Sequence, residues 1–309
     1  MTIPASTLVL NRFELGMPGP QGRFRSQRRS CRARTPYRIP IASKMRMSSW
    51  TLIWNSGSSP YMDLNNKAIF DANWQAWLDM KVHGPASRWL RSLIRAHIRR
   101  ISKPENIDSV LDVGCGEGTI TCHLAKWLPQ AQIVGIDFSE TGIRWAKSRY
   151  QLANLQFIHD ISSHELARKY DLVTLFEVLE HVENWRALLE RVATSAAQFV
   201  LLSFPTGRMR PFEASMGHYR NFQPGQVEHF MLERGFEPVA ISYAGFPFFS
   251  PLYREFCNVT QASSNSLVTG TYGWTKKTLS AAIYGSFRFL STRRRFGDQF
   301  CGLFKRKAE

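Results

Sequence analysis

The glycine-rich stretch VLDVGCGEGT, residues 110–119, has the clearest chemical pattern in the sequence. Its glycines stand at alternate positions, Gly114, Gly116 and Gly118. Glycine lets a backbone turn sharply and approach a ligand closely, because no β-carbon stands in the way. A dinucleotide-binding loop spaces its glycines as G-x-G-x-x-G. Here Thr119 stands where that pattern needs its third glycine, so the spacing disfavours a nicotinamide cofactor.

A second group of residues with catalytic potential lies in FEVLEHV, residues 176–182. Glu177 and His181 would lie one turn apart if this segment is helical. With Glu180 and with His218, from the later segment GHYRNF, they could hold one magnesium or zinc ion. Such an ion would lower the pKa of a substrate hydroxyl bound to it. His181 could instead act as a general base near neutral pH, or make only a structural hydrogen bond.

Strands and helices that alternate between residues 105 and 245 must position these side chains. The segments that predict strands are SVLDVG, AQIVGID, LQFIHDI, YDLVTLFEVL, QFVLLSFP and FEPVAISYAG. The segments that predict helices are GTITCHLAKWL, SETGIRWAKSRYQL, with Ser139 as its cap, NWRALLERVATS and PGQVEHFMLERG. Near-continuous Val, Ile and Leu strands of this kind predict a doubly wound α/β fold, a mostly parallel sheet covered by helices on both faces. Ligands of such sheets bind at the carboxyl ends of the strands.

Two further helices are predicted within residues 62–104, from the apolar spacing in FDANWQAWLDMK and PASRWLRSLIRAHIRRI. We expect both to pack on the core. Trp74 and Trp77 in the first helix would then be packing residues. Their alternative role is to cover a bound ligand.

Residues 246–309 change in character and predict an aromatic and basic extension. FPFFSPLYREF is rich in aromatic residues and contains two prolines, and KKTLSAAIYGSFRFLS has apolar residues at helical spacing. No clear seventh strand follows FEPVAISYAG. The segment is interpreted as a substrate lid, or as a contact with an anionic membrane surface through its basic C-terminal tail, which ends in the run Lys305 to Lys307. A plain lid and packing helix is the alternative.

Acidic residues at three successive strand ends accompany the glycines. Asp112 ends the first strand, Asp137 the second and Asp160 the third. A single acid there is usually a helix cap or an exposed carboxylate, but three in this order are poorly explained by chance. With Asp112 before the first glycine, D-x-G-x-G-x-G resembles the first motif of the class I S-adenosylmethionine-dependent methyltransferases, which have a Rossmann-like core. The resemblance covers residues 105–245.

The resemblance implies S-adenosylmethionine as the cofactor and a role for each acid. Asp112 would orient the amino-acid end, Asp137 would accept hydrogen bonds from both ribose hydroxyls, and Asp160 would read the adenine amino group. The bare glycine backbone would pass under the methionine half. The implied cofactor-binding residues are Asp112, Gly114, Cys115, Gly116, Gly118, Asp137, Phe138, Asp160, Ile161 and Phe176.

The E-x-x-E-H spacing also resembles metal-binding methyltransferases that act on RNA 3′ ends or make ubiquinone. Similar runs occur in class I enzymes with no metal role, so the metal set Glu177, Glu180, His181 and His218 stays a hypothesis. The catalytic candidates are His181, Glu177 and His218. GHYRNF resembles small-molecule methyltransferases, whose acceptor pocket includes this segment. His218, Tyr219 and Arg220 are therefore acceptor-site candidates, or anchors of a long loop.

The charge of the chain lies at its ends. Of 40 Lys and Arg and 24 Asp and Glu in 309 residues, residues 1–50 hold ten basic and one acidic, and residues 275–309 hold nine and two. This leaves 21 of each sign between them. A neutral body disfavours a nucleic-acid groove built into the fold, although the tails could contact phosphates or an anionic membrane, or simply be solvated.

Residues 1–61 are interpreted as a basic, unfolded extension. The first 46 of them resemble an organelle transit peptide in composition; alternatively, translation begins at Met45, Met47 or Met62. The cysteines are scattered, at Cys31, Cys115, Cys122, Cys257 and Cys301. Their spacing favours a reducing, cytoplasmic setting. No apolar run reaches the roughly 18 residues that span a bilayer, so a peripheral membrane contact is expected at most.

The leading hypothesis is a methyltransferase that methylates a small molecule, at a hydroxyl of a hydrophobic or lipid-linked compound. One alternative is an RNA methyltransferase whose basic tails bind phosphates. The other is a non-catalytic, cofactor-binding scaffold at a membrane surface.

Overall fold

The computed structural model describes residues 64–160, 164–260 and 269–308. The expected basic extension, residues 1–61, lies outside these ranges. The first described elements are α1 (Leu64–His83) and α2 (Pro85–Ile98), the two helices predicted before the core. Pro85 opens α2, where its missing N–H costs no hydrogen bond. The apolar stripe of α2 is buried and includes Trp89, Leu90, Leu93, Ile94 and Ile98.

Seven strands of the described residues form one sheet in the order β3-β2-β1-β4-β5-β7-β6. Their bounds are β1 (Ser109–Val113), β2 (Gln132–Asp137), β3 (Leu155–His159), β4 (Tyr170–Phe176), β5 (Ala196–Pro205), β6 (Phe236–Ala244) and β7 (Gln299–Arg306). The first five pair in parallel, and β7 lies antiparallel between β5 and β6. The predicted doubly wound α/β fold is confirmed.

The strand β7 corrects the expectation that no clear seventh strand follows β6. Its residues, QFCGLFKR, come from the segment interpreted as a basic extension, and Lys305 and Arg306 belong to the strand. Both faces of β7 are covered, since Phe300, Cys301 and Phe304 are fully buried. A strand buried on both faces shows no alternation of apolar and polar residues. Its partners, β5 and β6, are distant in the sequence, so local pattern did not reveal it.

Helices cover both faces of the sheet. The remaining helices are α3 (Thr119–Trp127), α4 (Glu140–Arg149), α5 (Trp185–Ser195), α6 (Pro211–Ser215), α7 (Gln226–Glu233), α8 (Arg254–Val259) and α9 (Trp274–Leu290). One core layer joins α5 and α7 to the sheet, and the other joins α2, α3 and α9. None of the helices in the described ranges combines the length and apolar character that crossing a bilayer requires.

The sheet order creates a crevice beside β1. Its neighbours are β2 on one side and β4 on the other, so the chain reverses its direction across the sheet at this point. Loops that leave β1, β2 and β4 therefore face one another at the carboxyl ends of these strands. Ser139 caps α4 as predicted, because its side chain accepts the N–H of Gly142 at 3.0 Å.

Candidate active site

The glycine loop after β1 needs glycine at all three predicted positions, since Gly114, Gly116 and Gly118 have φ of 72°, 55° and 82°. A β-carbon on Gly114 would lie 2.5 Å from Val178 Cγ2, and one on Gly116 would lie 2.5 Å from Trp74 Cη2. These two glycines line the cavity. Gly118 does not belong to the described lining; a β-carbon there would lie 2.6 Å from the ring of Phe157. Gly118 therefore lets the loop pack closely on Phe157, and its contact with the cofactor stays a prediction.

Asp112 is buried at the end of β1 and lines the cavity. Its two carboxylate oxygens accept hydrogen bonds from Thr121 Oγ1 and Thr174 Oγ1, each at 2.7 Å. Burial raises the pKa of Asp112 to about 6. The side chain therefore ties β1 to α3 and β4, in addition to any role toward a ligand.

We expect Asp112→Ala to destabilise the fold by about 2 to 4 kcal/mol, because two buried hydroxyls lose their acceptor. Urea denaturation of the full chain measures this change. Asp108→Ala, at the exposed opposite end of β1, is the matched control and should stay within about 0.5 kcal/mol of wild type. Equal stability of the two variants would show that the Asp112 bonds contribute nothing to the fold.

Asp137 ends β2 beside the glycine loop. Its oxygens accept the backbone N–H of Gly116 and of Ser139, each at 2.8 Å. Burial raises the pKa of Asp137 to about 6. A carboxylate offers about four acceptor positions, so two remain for donors from a ligand. The side chain also lines the cavity, which fits the predicted contact with two ribose hydroxyls.

The other predicted cofactor-binding residues do not all line the cavity. Cys115, Phe138 and Phe176 do line it, and burial raises the pKa of Cys115 well above its usual value. Asp160 follows β3, where its carboxylate accepts the N–H of Glu165 at 3.0 Å. It is not among the described lining residues, so its contact with adenine stays a prediction. Ile161 lies outside the described residues.

Aromatic residues of α1 cover the glycine loop. Trp74 Nε1 donates to Ser139 Oγ at 2.9 Å, and its ring occupies the space over Gly116. The Phe70 ring lies 5.1 Å from the ring of His181. Trp74 and Trp77 are both buried and both line the cavity. The two alternatives for these tryptophans, packing and covering a ligand, are therefore compatible.

Glu177 departs from the helical turn that its spacing suggested. Its φ is 57°, and only Leu179–His181 forms a short 3₁₀ turn. The prediction that Glu177 and His181 lie one helical turn apart is wrong. The Glu177 carboxylate accepts Ser203 Oγ at 2.8 Å and Gln299 Nε2 at 2.9 Å, which links β4 to β5 and β7. Burial raises its pKa.

Glu180, His181 and His218, here called the Glu–His–His cluster, come together at the cavity wall. One candidate ligand atom from each lies within 4.8 Å of the others. The Glu180 side chain is fully buried, and both of its oxygens lack a hydrogen-bond partner among the described residues. Burial, and next the nearby charge of Glu177, raise the pKa of Glu180 well above its usual value. Glu180 is therefore a buried carboxyl without a hydrogen-bond partner in the described part of the chain, in an environment that favours its protonated form.

Hydrogen bonds fix the tautomers of the two histidines. His181 Nδ1 lies 3.1 Å from the carbonyl oxygen of Gly217, and a carbonyl only accepts, so Nδ1 carries the proton. His218 Nδ1 lies 3.5 Å from Asn221 Oδ1. Both Nε2 atoms then keep a free lone pair. Burial lowers the pKa of His181 to about 3, helped by the charge of His218, and burial lowers the pKa of His218 to about 4.

Tyr219 and Arg220 anchor the loop that carries His218, and their contact with an acceptor stays a prediction. The Tyr219 N–H donates to the carbonyl oxygen of Glu180 at 2.9 Å. The Arg220 guanidinium donates to the carbonyl oxygens of Val182 and Glu183. Neither side chain is part of the described cavity lining. They hold the loop that carries His218 against the Glu–His–His cluster.

The cavity has a volume of about 300 Å³ and a mainly apolar lining. Sequence reasoning did not assign to the site several of its lining residues, both apolar and charged: Met80, Lys81, Arg91, Glu117, Phe212, Glu213, Met216, Phe249, Tyr253, Arg254 and Gln299. Arg254 is buried and donates through Nε to Glu213 Oε1 at 2.9 Å. The aromatic composition of FPFFSPLYREF was the available signal for Phe249 and Tyr253.

Comparison with known proteins agrees with this geometry. A family model described as a methyltransferase domain matches residues 86–241, about half of the chain. Pavine N-methyltransferase of Thalictrum flavum subsp. glaucum is 31% identical over 98 residues, which span 30% of this chain and 28% of that protein. Malonyl-acyl-carrier-protein O-methyltransferase of Bacillus anthracis is 37% identical over 123 residues, 40% of this chain and 45% of that protein. The matches thus span less than half of each relative.

The fold is shared with solved methyltransferase structures. Magnesium protoporphyrin IX methyltransferase from Synechocystis, with bound SAM, superimposes with a TM-score of 0.50 at 17% identity, over 79% of this chain and 99% of that chain. Its complex with SAH gives a TM-score of 0.51. The chain therefore belongs to the class I S-adenosylmethionine-dependent methyltransferase family.

Proposed function

We propose that this chain transfers a methyl group from S-adenosylmethionine to a hydroxyl of a hydrophobic small molecule. One observation carries the proposal: a single cavity joins Asp112 and Asp137 to the Glu–His–His cluster and to an apolar wall. Methyl transfer from a sulfonium is an in-line displacement, so the protein must align the two reactants and exclude water. An acceptor hydroxyl must also lose its proton.

Asp137 and the glycine loop would bind the cofactor. The ribose would donate to the two remaining acceptor positions of Asp137, and the methionine half would follow the backbone of Gly114 and Gly116. Phe138 would pack on the adenine. The methyl group would then point toward the Glu–His–His cluster, which lies beyond the end of β4.

We expect the affinity for S-adenosylmethionine to fall as the pH decreases through about 6. Asp137 and Asp112 have a pKa of about 6 in the free protein, and a protonated carboxyl loses acceptor capacity and the attraction for a cationic sulfonium. The dissociation constant should rise up to about tenfold per pH unit below 6 for each proton involved. Calorimetric titrations between pH 5 and 8 measure this, and Asp137→Asn should flatten the dependence. A wild-type affinity that is constant over this range would contradict the ligand role of these acids.

We further propose that the Glu–His–His cluster holds a divalent cation. The orphaned carboxyl of Glu180 and two neutral imidazoles with free Nε2 lone pairs form a suitable donor set. His181 donates Nδ1–H to a backbone carbonyl, as metal-binding histidines usually do. Glu177 is left out of this proposed set, because the candidate ligand atoms that lie within 4.8 Å of one another belong to Glu180, His181 and His218. A bound cation would lower the pKa of an acceptor hydroxyl.

Cation binding to the Glu–His–His cluster should release protons. The pKa of Glu180 is raised in the free protein, and a carboxylate ligand must be deprotonated. Calorimetric titration of Zn²⁺ or Mg²⁺ in two buffers with different ionisation enthalpies measures the released protons. Glu180→Gln, which keeps the shape and cannot ionise, should bind the ion more weakly and release none. Equal proton release by both forms would place the ion elsewhere.

The chemical class of the methyl acceptor is tested by identifying the molecules that receive the methyl group. The full chain, labelled S-adenosylmethionine and a cell extract should yield label in the organic-soluble fraction, because the lining of the cavity is mainly apolar. Base hydrolysis then releases the label of methyl esters as methanol, and extraction into acid separates methylated amines from the neutral ethers formed on hydroxyls. Label found only in RNA, or only on nitrogen, would contradict the proposed acceptor while leaving methyl transfer intact.

A further inference from the structure

A second cleft, of about 830 Å³, lies between α2, α9 and the edge strand β6. We name it the arginine cleft, because arginines at eight positions line it. Five belong to α2 and the two residues after it, and three to the end of α9 and the segment that follows. No acidic side chain of the described residues lines this cleft.

The arginine cleft holds a surplus of positive charge, which the charge of Glu117 offsets only at Arg91 among the interactions given for its arginines. None of its arginines forms a salt bridge with an acidic side chain in the described ranges. Arg88 instead stacks over the ring of Tyr284 at 4.5 Å. Burial, and then the charges of Arg100 and Arg294, lower the pKa of His97 in the cleft. So many like charges repel one another unless an anion lies among them.

This concentration is not a consequence of general basicity. Residues 51–274 carry equal numbers of basic and acidic side chains, yet five of the arginines come from this neutral part. The fold brings them to the three arginines near the end of α9. Such local accumulation on one face indicates a polyanionic partner.

Exposed apolar side chains adjoin the same arginines. Phe289 and Leu290 at the end of α9 are 80% and 59% exposed, and Phe296 is 79% exposed. The segment between them lies along the edge of β6, since the N–H of Tyr243 donates to the carbonyl oxygen of Arg294 at 3.2 Å. Binding of a soluble phosphate compound would not explain why Phe289, Leu290 and Phe296 are exposed beside the arginines. A membrane interface can bind both the arginines and the apolar side chains: the guanidinium groups lie among the lipid head groups, and the apolar side chains lie at the boundary with the acyl chains.

We propose that the arginine cleft binds the phosphate head groups of an anionic membrane, with Phe289, Leu290 and Phe296 inserted beside it. This surface differs from the basic C-terminal tail expected from the sequence, because Lys305 and Arg306 lie within β7. The proposal does not depend on the proposed methyl transfer.

Vesicle sedimentation of the full chain tests the proposal. Vesicles of phosphatidylcholine with one quarter phosphatidylglycerol should bind the protein, and pure phosphatidylcholine should bind it far less. Each arginine near an anionic surface contributes about fivefold to the partition constant. Arg99→Gln with Arg294→Gln should therefore weaken binding about 25-fold. The matched control, Arg144→Gln with Lys147→Gln on the exposed face of α4, should bind like wild type.

A second variant separates insertion from simple attraction. Phe289→Ser with Phe296→Ser should weaken binding to both kinds of vesicle and leave the salt dependence unchanged. Thermal unfolding and S-adenosylmethionine affinity should match wild type in every variant. Unchanged vesicle binding by the Arg99 and Arg294 double variant would overturn the proposal. So would binding of a single-stranded RNA or of inorganic pyrophosphate that this variant loses while vesicle binding persists.

Discussion

Replacing Asp137 with alanine should abolish measurable binding of S-adenosylmethionine. The wild-type carboxylate holds the N–H groups of Gly116 and Ser139 and keeps two acceptor positions for a ligand. Hydrogen bonds to a charged group contribute about 1.5 to 3 kcal/mol each, so the loss of two ligand bonds weakens binding at least about 100-fold. Calorimetric titration of the full chain with S-adenosylmethionine measures the effect.

The control for this variant is Asp108→Ala, at the opposite end of β1, which should bind like wild type. Thermal unfolding must accompany the titration, because Asp137 also holds the glycine loop. NADH should not bind to either form, since Thr119 replaces the third glycine of a dinucleotide loop. A folded Asp137→Ala protein with a dissociation constant within threefold of wild type would remove Asp137 from the cofactor site.

The second large effect is expected from His181→Ala, which should lower kcat for methyl transfer by about 10²- to 10⁴-fold. S-adenosylmethionine affinity should change little, because His181 lies beside the predicted methyl position rather than along the nucleoside. Single-turnover assays with labelled cofactor measure the loss. If a cation is bound as proposed, a chelator should give a loss of similar size that one divalent ion restores.

His229→Ala is the matched control for the histidine, because His229 lies exposed on α7 and is not among the described residues that line the cavity. The pH profile adds a second readout. Burial lowers the pKa of His181 to about 3, so its imidazole stays neutral between pH 5 and 8. The dependence of kcat on pH should therefore show no ionisation of His181 in this range. A His181→Ala enzyme that keeps kcat within threefold of wild type would exclude the catalytic role.

Local sequence pattern was sufficient for the parts of the site that short segments build. The glycine loop, Asp112 and Asp137 each follow a strand whose apolar run is visible in the sequence. Their positions then follow from the sheet, because parallel strands end at a common edge. The caps behave similarly: Ser139 precedes α4 and caps it.

Non-local contacts account for what the sequence did not reveal. The sequence gives no reason to distinguish Glu177 from Glu180. In the fold, Ser203 and Gln299 both donate to Glu177 Oε1, whereas neither carboxyl oxygen of Glu180 has a hydrogen-bond partner among the described residues. Gln299 opens β7, the strand that local pattern missed. The arginine cleft was hidden for the same reason, since a charge count along the chain cannot show that α2 and the end of α9 meet.

The most direct test of the central claim is a crystal structure of the full chain with S-adenosylhomocysteine. The account predicts the ribose on Asp137, the methionine half along Gly114 and Gly116, and the sulfur facing the Glu–His–His cluster within reach of one acceptor. A product molecule bound outside this cavity, or with its sulfur turned away from His181, would contradict it.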